Sequence, residues 1–465
     1  MAIISFIVCL SLFAAIGALS MLKRQPTTGD YLIAGRSVPP WLAGLSAVAT
    51  NNSGYMFIGM IGLTYTTGLS SIWLMIGWLA GDLTASLLIM KKLRETSETE
   101  HVQSFGGLLA QWHGTDYTML RRLCGALTTL FLGAYAAAQF TAGSKALHVL
   151  FGWDLSTGAI LGAALVLLYS YSGGIRASIW TDAAQSFVML GAMLALMSTA
   201  TASLGSGEEI SAQLIAVSPE FMHWFPDTSW LGVLLFIAGW VFAGFGVAGQ
   251  PHIVVRYMAL DRTENLGRFR VYYYTWFTLF YAATIVVGLL ARLILPDAGS
   301  FDAELALPMM SMQLLPEIWV GLVLAGLFAA TMSTADSLVL SCSASVTSDL
   351  FPERNASYKA TKAATAGIVL IALGLSLSGN HSVLALVLVA WGLLATAFVP
   401  LLTVYVMGGR PSERLALLMV TGGVAVFLLW RWSGLSATVY EVLPGMLAGL
   451  LIFMAYHYGR KRLPV

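Results

Sequence analysis

Small polar residues recur along one face of an apolar stretch in the second half of the chain. Their spacing of i, i+3, i+4, i+7 and i+11 places them on one side of a helix: Ala330, Ser333, Thr334, Ser337 and Ser341. Hydroxyl and carbonyl oxygens are hard ligands, which suit a small cation such as sodium. Small residues also let helices approach closely, and this packing role is the alternative interpretation.

A cation needs more oxygens than one intact helix offers, because interior carbonyls accept bonds from the helix's own N–H groups. The apolar stretch 40–66 contains a run of small and polar residues at 50–54, which predicts a break in that helix. We expect Ala49 and Asn52 to supply free carbonyls there. A second break is predicted where glycines and a proline weaken another helix: Gly244, Gly246, Gly249, Gln250 and Pro251.

Three aspartates lie within apolar stretches: Asp82, Asp182 and Asp336. A carboxylate at the bilayer centre costs roughly 2.5–3.5 kcal/mol, so such residues usually have a function. Asp182 and Asp336, together with Ser337, are predicted to bind a second cation or a proton. The alternative for Asp182 is a helix N-terminal carboxylate stabilised by the helix dipole. For Asp82, pairing with a neighbouring polar group is the preferred interpretation.

Other chemistry finds little support in the sequence. The seven histidines are scattered, which argues against zinc or haem, and His252 is predicted to be structural. Three distant cysteines, at 9, 124 and 342, indicate neither a disulfide framework nor a metal cluster. A net charge of +1 suggests no nucleic-acid partner. Without a nucleophile–base pair or a cofactor motif, an enzyme is not expected.

The elements that must position these residues are membrane helices. The chain is 58% hydrophobic and 10% charged, whereas soluble domains carry about 25% charged residues. Apolar blocks of about 20 residues match the bilayer core, where the backbone must satisfy its own hydrogen bonds. This predicts an all-α integral membrane protein with thirteen spans: 2–22, 40–66, 69–92, 118–147, 155–172, 176–204, 229–258, 269–295, 317–349, 358–378, 382–407, 413–430 and 438–457.

The two interrupted spans are the second and the seventh, five apart. Broken helices at matching positions of two halves predict a five-plus-five inverted repeat with a binding site near the bilayer midplane. The expected organisation is one transporter domain over residues 1–465. It comprises an extra N-terminal helix, two repeats and C-terminal helices, at 2–22, 40–204, 229–407 and 413–457.

The basic residues predict an orientation. All lysines and arginines except Lys145, Arg292 and Arg431 fall on one side of the predicted spans, which should be the cytoplasm. The N-terminus is then outside and the C-terminus inside, and a bacterial inner membrane is expected.

Two motifs resemble those of the sodium:solute symporter family. Residues 30–37 read DYLIAGRS and are similar to the family's D-[FY]-x-x-[AG]-G-R-S pattern. Residues 173–185 resemble its signature GG-x-x-A-x-x-x-T-D-x-x-Q. Residues 249–253 and 440–445 are most similar to the sodium/proline branch. The resemblance implies broken helices in an inverted-repeat core.

The resemblance also implies ion sites. The family's main sodium site maps onto three carbonyls and two hydroxyls, those of Ala49, Asn52, Ala330, Ser333 and Thr334. A second site, present in some relatives, is matched by Asp182, Ser333 and Ser337. Asp336 stands where a serine is expected there, so the number of sodium ions and a proton role stay open.

The solute contacts implied by the resemblance depart from the pattern of the proline branch. The candidates are Asn51, Ser53, Gly54, Tyr55, Tyr135, Ala243 and Val247. Because Ala243 and Val247 stand where the proline branch has tryptophan and tyrosine, a larger, less aromatic pocket is expected. The predicted function is sodium-driven import of a small organic solute, such as proline, by alternating access. The alternatives are a solute-sensing domain of the same fold and a proton-coupled symporter.

Overall fold

Helices make up nearly all of the computed structural model, which describes residues 1–20, 22, 25–296, 299–351, 357–379 and 382–460. The long helices and their continuations are Ala2–Ser20, Pro40–Gly54 with Tyr55–Met60 and Ile61–Thr67, Ile72–Leu88, Thr118–Phe151, Leu155–Leu204, Trp230–Phe245 with Gly246–Gly249 and Pro251–Ala259, Leu266–Ile294, Glu317–Ala344 with Ser345–Leu350, Tyr358–Leu377, Val383–Val406, Glu413–Trp432 and Val442–Arg460. The basic residues Lys23, Arg24, Arg354, Lys461 and Arg462 used for the orientation, and His381, lie outside the described residues.

Length and composition identify ten segments able to cross a membrane. One of them, Pro40–Leu88, holds two spans, because the helices Pro40–Thr67 and Ile72–Leu88 are separated by the turn Gly68–Ser71. Two shorter apolar helices, Leu155–Leu168 and Val442–His457, complete the set. An all-helical membrane protein is therefore confirmed within the part of the chain that the structure describes, whereas the count of thirteen spans stays a prediction.

Short helices occupy the connections that the sequence left unassigned. They are Thr28–Ile33, Met90–Thr99, Phe105–Gln111, Gly207–Val217 and Ala306–Leu314. Gly207–Val217 begins with a capping box, in which Ser206 accepts from the Glu209 backbone and Glu209 accepts from the Ser206 backbone. The division into two repeats with the predicted boundaries stays a prediction.

The fifth and sixth spans meet at a sharp bend instead of a loop. Gly174, inside Leu155–Leu204, has φ 58° and ψ −152°, a conformation that only glycine adopts without strain. A Cβ at this position would lie 2.5 Å from the carbonyl oxygen of Tyr31. The bend thus brings Arg176 to the short segment before the second span, where its guanidinium pairs with Asp30.

The ninth span is the central helix of the bundle. From Val323 to Ala344 every residue is buried, and the helix packs against the fourth, sixth and second spans. The first span lies against its N-terminal half, and the N-terminal amine is 2.6 Å from Glu317 Oε2. Small side chains permit this central position, which places the predicted hydroxyl face among polar neighbours instead of lipid.

Candidate functional site

The second span is broken at Ser53, as the sequence predicts. Ser53 has φ 44° and ψ −171°, outside the helical region. The next N–H group, that of Gly54, donates to Oε1 of Gln139 at 2.9 Å instead of to the carbonyl four residues back. That carbonyl belongs to Thr50, and it is therefore free for another partner.

The ninth span supplies that partner. Oγ1 of Thr334 donates to the Thr50 carbonyl at 3.0 Å. On the same face, Oγ of Ser333 donates to the Ala330 carbonyl at 3.2 Å. The break and the hydroxyl face, which lie 284 residues apart in the Thr50–Thr334 pair, are thus in direct contact.

The structure places the predicted main sodium residues in the interior, on two helices that are in contact at Thr50 and Thr334. Asn52 donates from Nδ2 to the Val48 carbonyl at 2.7 Å, and its Oδ1 has no hydrogen-bond partner among the described residues. All five residues are at most 2% exposed: Ala49, Asn52, Ala330, Ser333 and Thr334. They carry hydroxyl and carbonyl oxygens, the donor types that suit a dehydrated alkali ion, on two helices in a region closed to solvent. The Asn52 carbonyl is not free as the sequence predicts, because it accepts from the Tyr55 N–H.

Asp182 lies beside this cluster but already has a cation. Its Oδ2 is 3.0 Å from Nη2 of Arg256, and both side chains are fully buried. The same oxygen accepts from Ser46 at 2.7 Å and is 3.3 Å from the Thr50 hydroxyl. The carboxylate therefore sits among hydroxyls and one guanidinium.

Arg256 joins four spans through its guanidinium. Nε is 3.1 Å from Ser46 Oγ, and Nη1 donates to the carbonyl of His252 at 2.6 Å. Nη2 contacts the hydroxyls of Ser178, at 3.0 Å, and Ser337, as well as Asp182. The positive charge thus occupies the space between Asp182 and Ser337, where the sequence predicts a second cation.

This arrangement changes the interpretation of Arg256. Arg256 is one of the basic residues predicted to be cytoplasmic, although it lies within the predicted span 229–258. A lone arginine in one apolar span and a lone aspartate in another were the available signal, since buried charges are normally paired. Asp336 is also buried, and its Oδ1 has no partner among the described residues.

The solute candidates from the first break face the fourth span. The hydroxyl of Tyr135 donates to Oγ of Ser53 at 3.1 Å, which in turn accepts from the Tyr55 N–H at 3.0 Å. Gln139, one helical turn after Tyr135, holds the Gly54 N–H. Gln139 was not among the residues predicted from the sequence, although its spacing from Tyr135 places it on the same helix face.

Aromatic side chains from other spans surround Tyr55. Its ring stacks on Trp78 with centroids 5.6 Å apart, and Trp78 lies 4.8 Å from Trp391. Nε1 of Trp391 donates to the carbonyl of Ala243 at 2.8 Å, and Val247 is likewise buried. Tryptophans from the third and eleventh spans therefore supply aromatic rings next to Tyr55 and Ala243. The expectation of a larger, less aromatic pocket than that of the proline branch stays a prediction.

Asn51 points away from this group. Its Nδ2 donates to Asp82 Oδ2 at 3.1 Å and to the hydroxyl of Tyr273 at 2.5 Å. Asp82 also accepts from Tyr273 and Tyr274, at 2.8 and 2.6 Å. The sequence interpretation of Asp82 as a residue paired with polar neighbours is confirmed, whereas the amide nitrogen of Asn51 is directed to this acid.

An ion cluster lies where the fourth span and the start of the eleventh span meet the connection that follows the eighth. Lys145 and Glu304 are buried there, whereas the side chain of Asp302 is half exposed. Lys145 Nζ lies 2.7 Å from Asp302 and 2.5 Å from Glu304. Glu304 also accepts from Ser382 Oγ at 2.8 Å and from the Leu384 N–H at 3.1 Å. The predicted topology places these five residues on the outer side of the membrane, and all five line a cavity of about 360 Å³.

Broken helices that meet at a buried polar centre define a membrane transporter with an inverted-repeat core. Comparison with solved structures supports this class. A Na⁺-coupled sialic acid symporter in a substrate-bound outward-open state superposes with a TM-score of 0.78, covering 97% of this chain and 96% of that one, at 18% identity. A nucleobase-cation-symport-1 family transporter gives a TM-score of 0.59 at 15% identity, with 95% and 97% covered. At these identities the likeness shows the fold.

The sequence comparisons go further. The sequence model described as "Sodium:solute symporter family" matches residues 31–423, so the chain belongs to that family and is a sodium-coupled symporter. The high-affinity proline transporter PutP of Bacillus subtilis is 29% identical, with 92% of each chain covered. The sodium/proline symporter of Haemophilus influenzae is 30% identical, with 90% of this chain and 86% of the relative covered.

Proposed function

We propose that this protein imports a small zwitterionic amino acid, with L-proline the first candidate, together with one sodium ion by alternating access. The observation that carries the proposal is the contact between Thr334 and the Thr50 carbonyl at the break of the second span. Similarity to proline transporters over nine-tenths of the chain supports the choice of solute.

Sodium binding at this contact would add ion–oxygen contacts between two helices that are joined here by the Thr334–Thr50 hydrogen bond. An ion held by Ala49, Asn52, Ala330, Ser333 and Thr334 replaces the Thr334–Thr50 hydrogen bond with several ion–oxygen contacts. Because these oxygens belong to the second and ninth spans, the ion fixes the position of the break. Ser53 and Gly54 at the same break are solute candidates, so ion binding would shape the solute site.

The stoichiometry of one sodium follows from the charge of Arg256. Its guanidinium is a permanent cation bonded to Asp182 and Ser337, which are the ligands predicted for a second ion. Two cations within hydrogen-bonding distance of one carboxylate repel each other strongly in a buried site. We therefore assign a second coupled ion to neither residue while Arg256 remains in place.

The energetics are sufficient for accumulation. One sodium moved through 100 mV contributes about 2.3 kcal/mol. Since about 1.4 kcal/mol corresponds to a factor of ten, voltage alone sustains a roughly fifty-fold solute gradient. The cluster of Lys145, Asp302 and Glu304 would close the outer side while the solute is released inward, with the N-terminus outside and the protein in the inner membrane.

Uptake of radiolabelled L-proline into proteoliposomes tests the proposal. We expect uptake that requires an inward sodium gradient and rises with an inside-negative potential. Uptake driven equally well by a pH gradient without sodium would identify proton coupling instead, with the buried Asp336 as its candidate. Transport that needs neither gradient, or no amino acid uptake at all, would refute the proposed function.

The sodium site is tested by removing its hydroxyls. Ser333→Ala and Thr334→Ala should each raise the sodium concentration for half-maximal uptake about ten-fold, because a hydrogen-bond-like contact to a charged group contributes about 1.5 kcal/mol or more. Ser198→Ala and Thr421→Ala are matched controls, since both hydroxyls are exposed and bond only their own helices. Equal sodium requirements in the four variants would rule out this site.

A further inference from the structure

His252 is a fully buried imidazole without hydrogen bonds. Its side chain is 0% exposed, and neither Nδ1 nor Nε2 has a partner among the described residues. Leaving one buried polar group unsatisfied costs about 1–3 kcal/mol, and native structures satisfy most such groups. Two unpaired nitrogens on one ring therefore indicate a partner that the polypeptide itself does not provide.

The position of His252 connects it to the solute candidates. It is the second residue of the helix Pro251–Ala259, directly after the break of the seventh span. Its ring meets Tyr135 edge-on with centroids 5.7 Å apart, and Trp391 at 6.5 Å. Since the Tyr135 hydroxyl reaches Ser53, the imidazole lies close to both breaks. The sequence analysis predicted only a structural role for it.

A second unpaired group lies on the neighbouring helix. Gln139 is 0% exposed, and its Nε2 has no partner among the described residues. The oxygen end of this amide is bonded to the protein, because Oε1 accepts from the Gly54 N–H. The NH₂ group is therefore left to donate, one turn along the same helix from Tyr135.

We infer that His252 and Gln139 bind the polar end of the transported solute. The inference rests on the proposed function and deepens it. In either tautomer an imidazole offers one donor and one acceptor, and the Gln139 amide adds donors. This set matches a solute that presents a carboxylate to the donors and an ammonium N–H to the imidazole acceptor. The rings of Tyr55, Trp78 and Trp391 suit a small apolar body.

Such a solute would link the two breaks. Gln139 is bonded to the break of the second span, whereas His252 begins the helix after the break of the seventh. One small zwitterion can contact both residues only when the two breaks are close together. Solute recognition and closure of the site would then be one event, as substrate-driven closure requires.

The experiment uses His252→Phe, which keeps a ring of similar shape but removes both nitrogens, and His252→Gln, which keeps a donor and an acceptor. His223→Phe is the control, since His223 is exposed on a loop. Uptake of L-proline is measured with competition by L-prolinamide, whose amide replaces the carboxylate. Sodium binding without solute reports whether the variant remains folded at the ion site.

We expect His252→Phe to raise the KM for L-proline at least ten-fold and to reduce the preference for L-proline over L-prolinamide, with sodium binding unchanged. His252→Gln should recover part of both, and Gln139→Leu should reproduce the loss. An unchanged KM and preference in His252→Phe would overturn the inference, as would equal losses of sodium and solute binding in both His252→Phe and Gln139→Leu. Absence of amino acid uptake by the unmodified protein would instead refute the proposed function, and the zwitterion assignment with it.

Discussion

Replacing Arg256 with glutamine tests the role of the buried ion pair. The change removes the positive charge and several of five contacts while leaving Asp182 buried among hydroxyls. Breaking a buried pair by removing one partner costs about 3–5 kcal/mol, because the remaining charge stays uncompensated. Arg256→Gln should therefore be strongly destabilised in sodium-free detergent solution.

Sodium should reverse much of that loss. In Arg256→Gln, the carboxylate of Asp182 and the hydroxyls of Ser46, Thr50 and Ser337 form an oxygen site without its resident cation. We expect a second sodium ion to bind there, so that sodium bound per protein rises from one to two. By linkage, sodium at 100 times the dissociation constant of this site would restore about 2.7 kcal/mol of the free energy of unfolding.

The double variant Arg256→Gln/Asp182→Asn is the decisive comparison. It lacks both members of the ion pair, so it should be more stable than Arg256→Gln without sodium and should bind one ion. The measurements are equilibrium binding of radioactive sodium and thermal unfolding at several sodium concentrations. One bound ion in all three proteins, or equal stability of the single and double variants, would show that Arg256 does not substitute for a cation.

Two further predictions concern backbone conformation. Gly174→Ala should abolish expression of folded protein, because the positive φ of Gly174 strains any other residue and a Cβ there would lie 2.5 Å from the Tyr31 carbonyl oxygen. Gly191→Ala is the control on the same helix and should express normally, since a Cβ at Gly191 meets no atom within 4 Å. Similar yields of the two variants would contradict this prediction. Ser53→Gly relieves backbone strain of about 1–3 kcal/mol, but it removes the hydroxyl that accepts a hydrogen bond from Tyr135. The melting temperature should therefore stay unchanged, while the KM for solute should rise. A lowered melting temperature with an unchanged KM would disprove the second prediction.

Much of the site could be predicted because its signals are local. The break at residues 50–54 and the hydroxyl face from Ala330 to Ser341 each follow from residue type and helical spacing. The contact between them, now seen as Thr334 bonded to Thr50, required the family resemblance, since nothing local relates residues so far apart. That the break and the hydroxyl face bind sodium stays a prediction.

The sequence by itself determined the membrane spans and the two breaks. A bilayer sets the length of an apolar helix, and glycine, proline and polar runs weaken its hydrogen bonds wherever they occur. Only the tertiary structure decided the neighbours: Arg256 beside Asp182, Asp82 beside Asn51, and His252 between Tyr135 and Trp391. In a bundle these pairings depend on how whole helices pack, so a residue's partner comes from a distant segment that its own sequence surroundings do not encode.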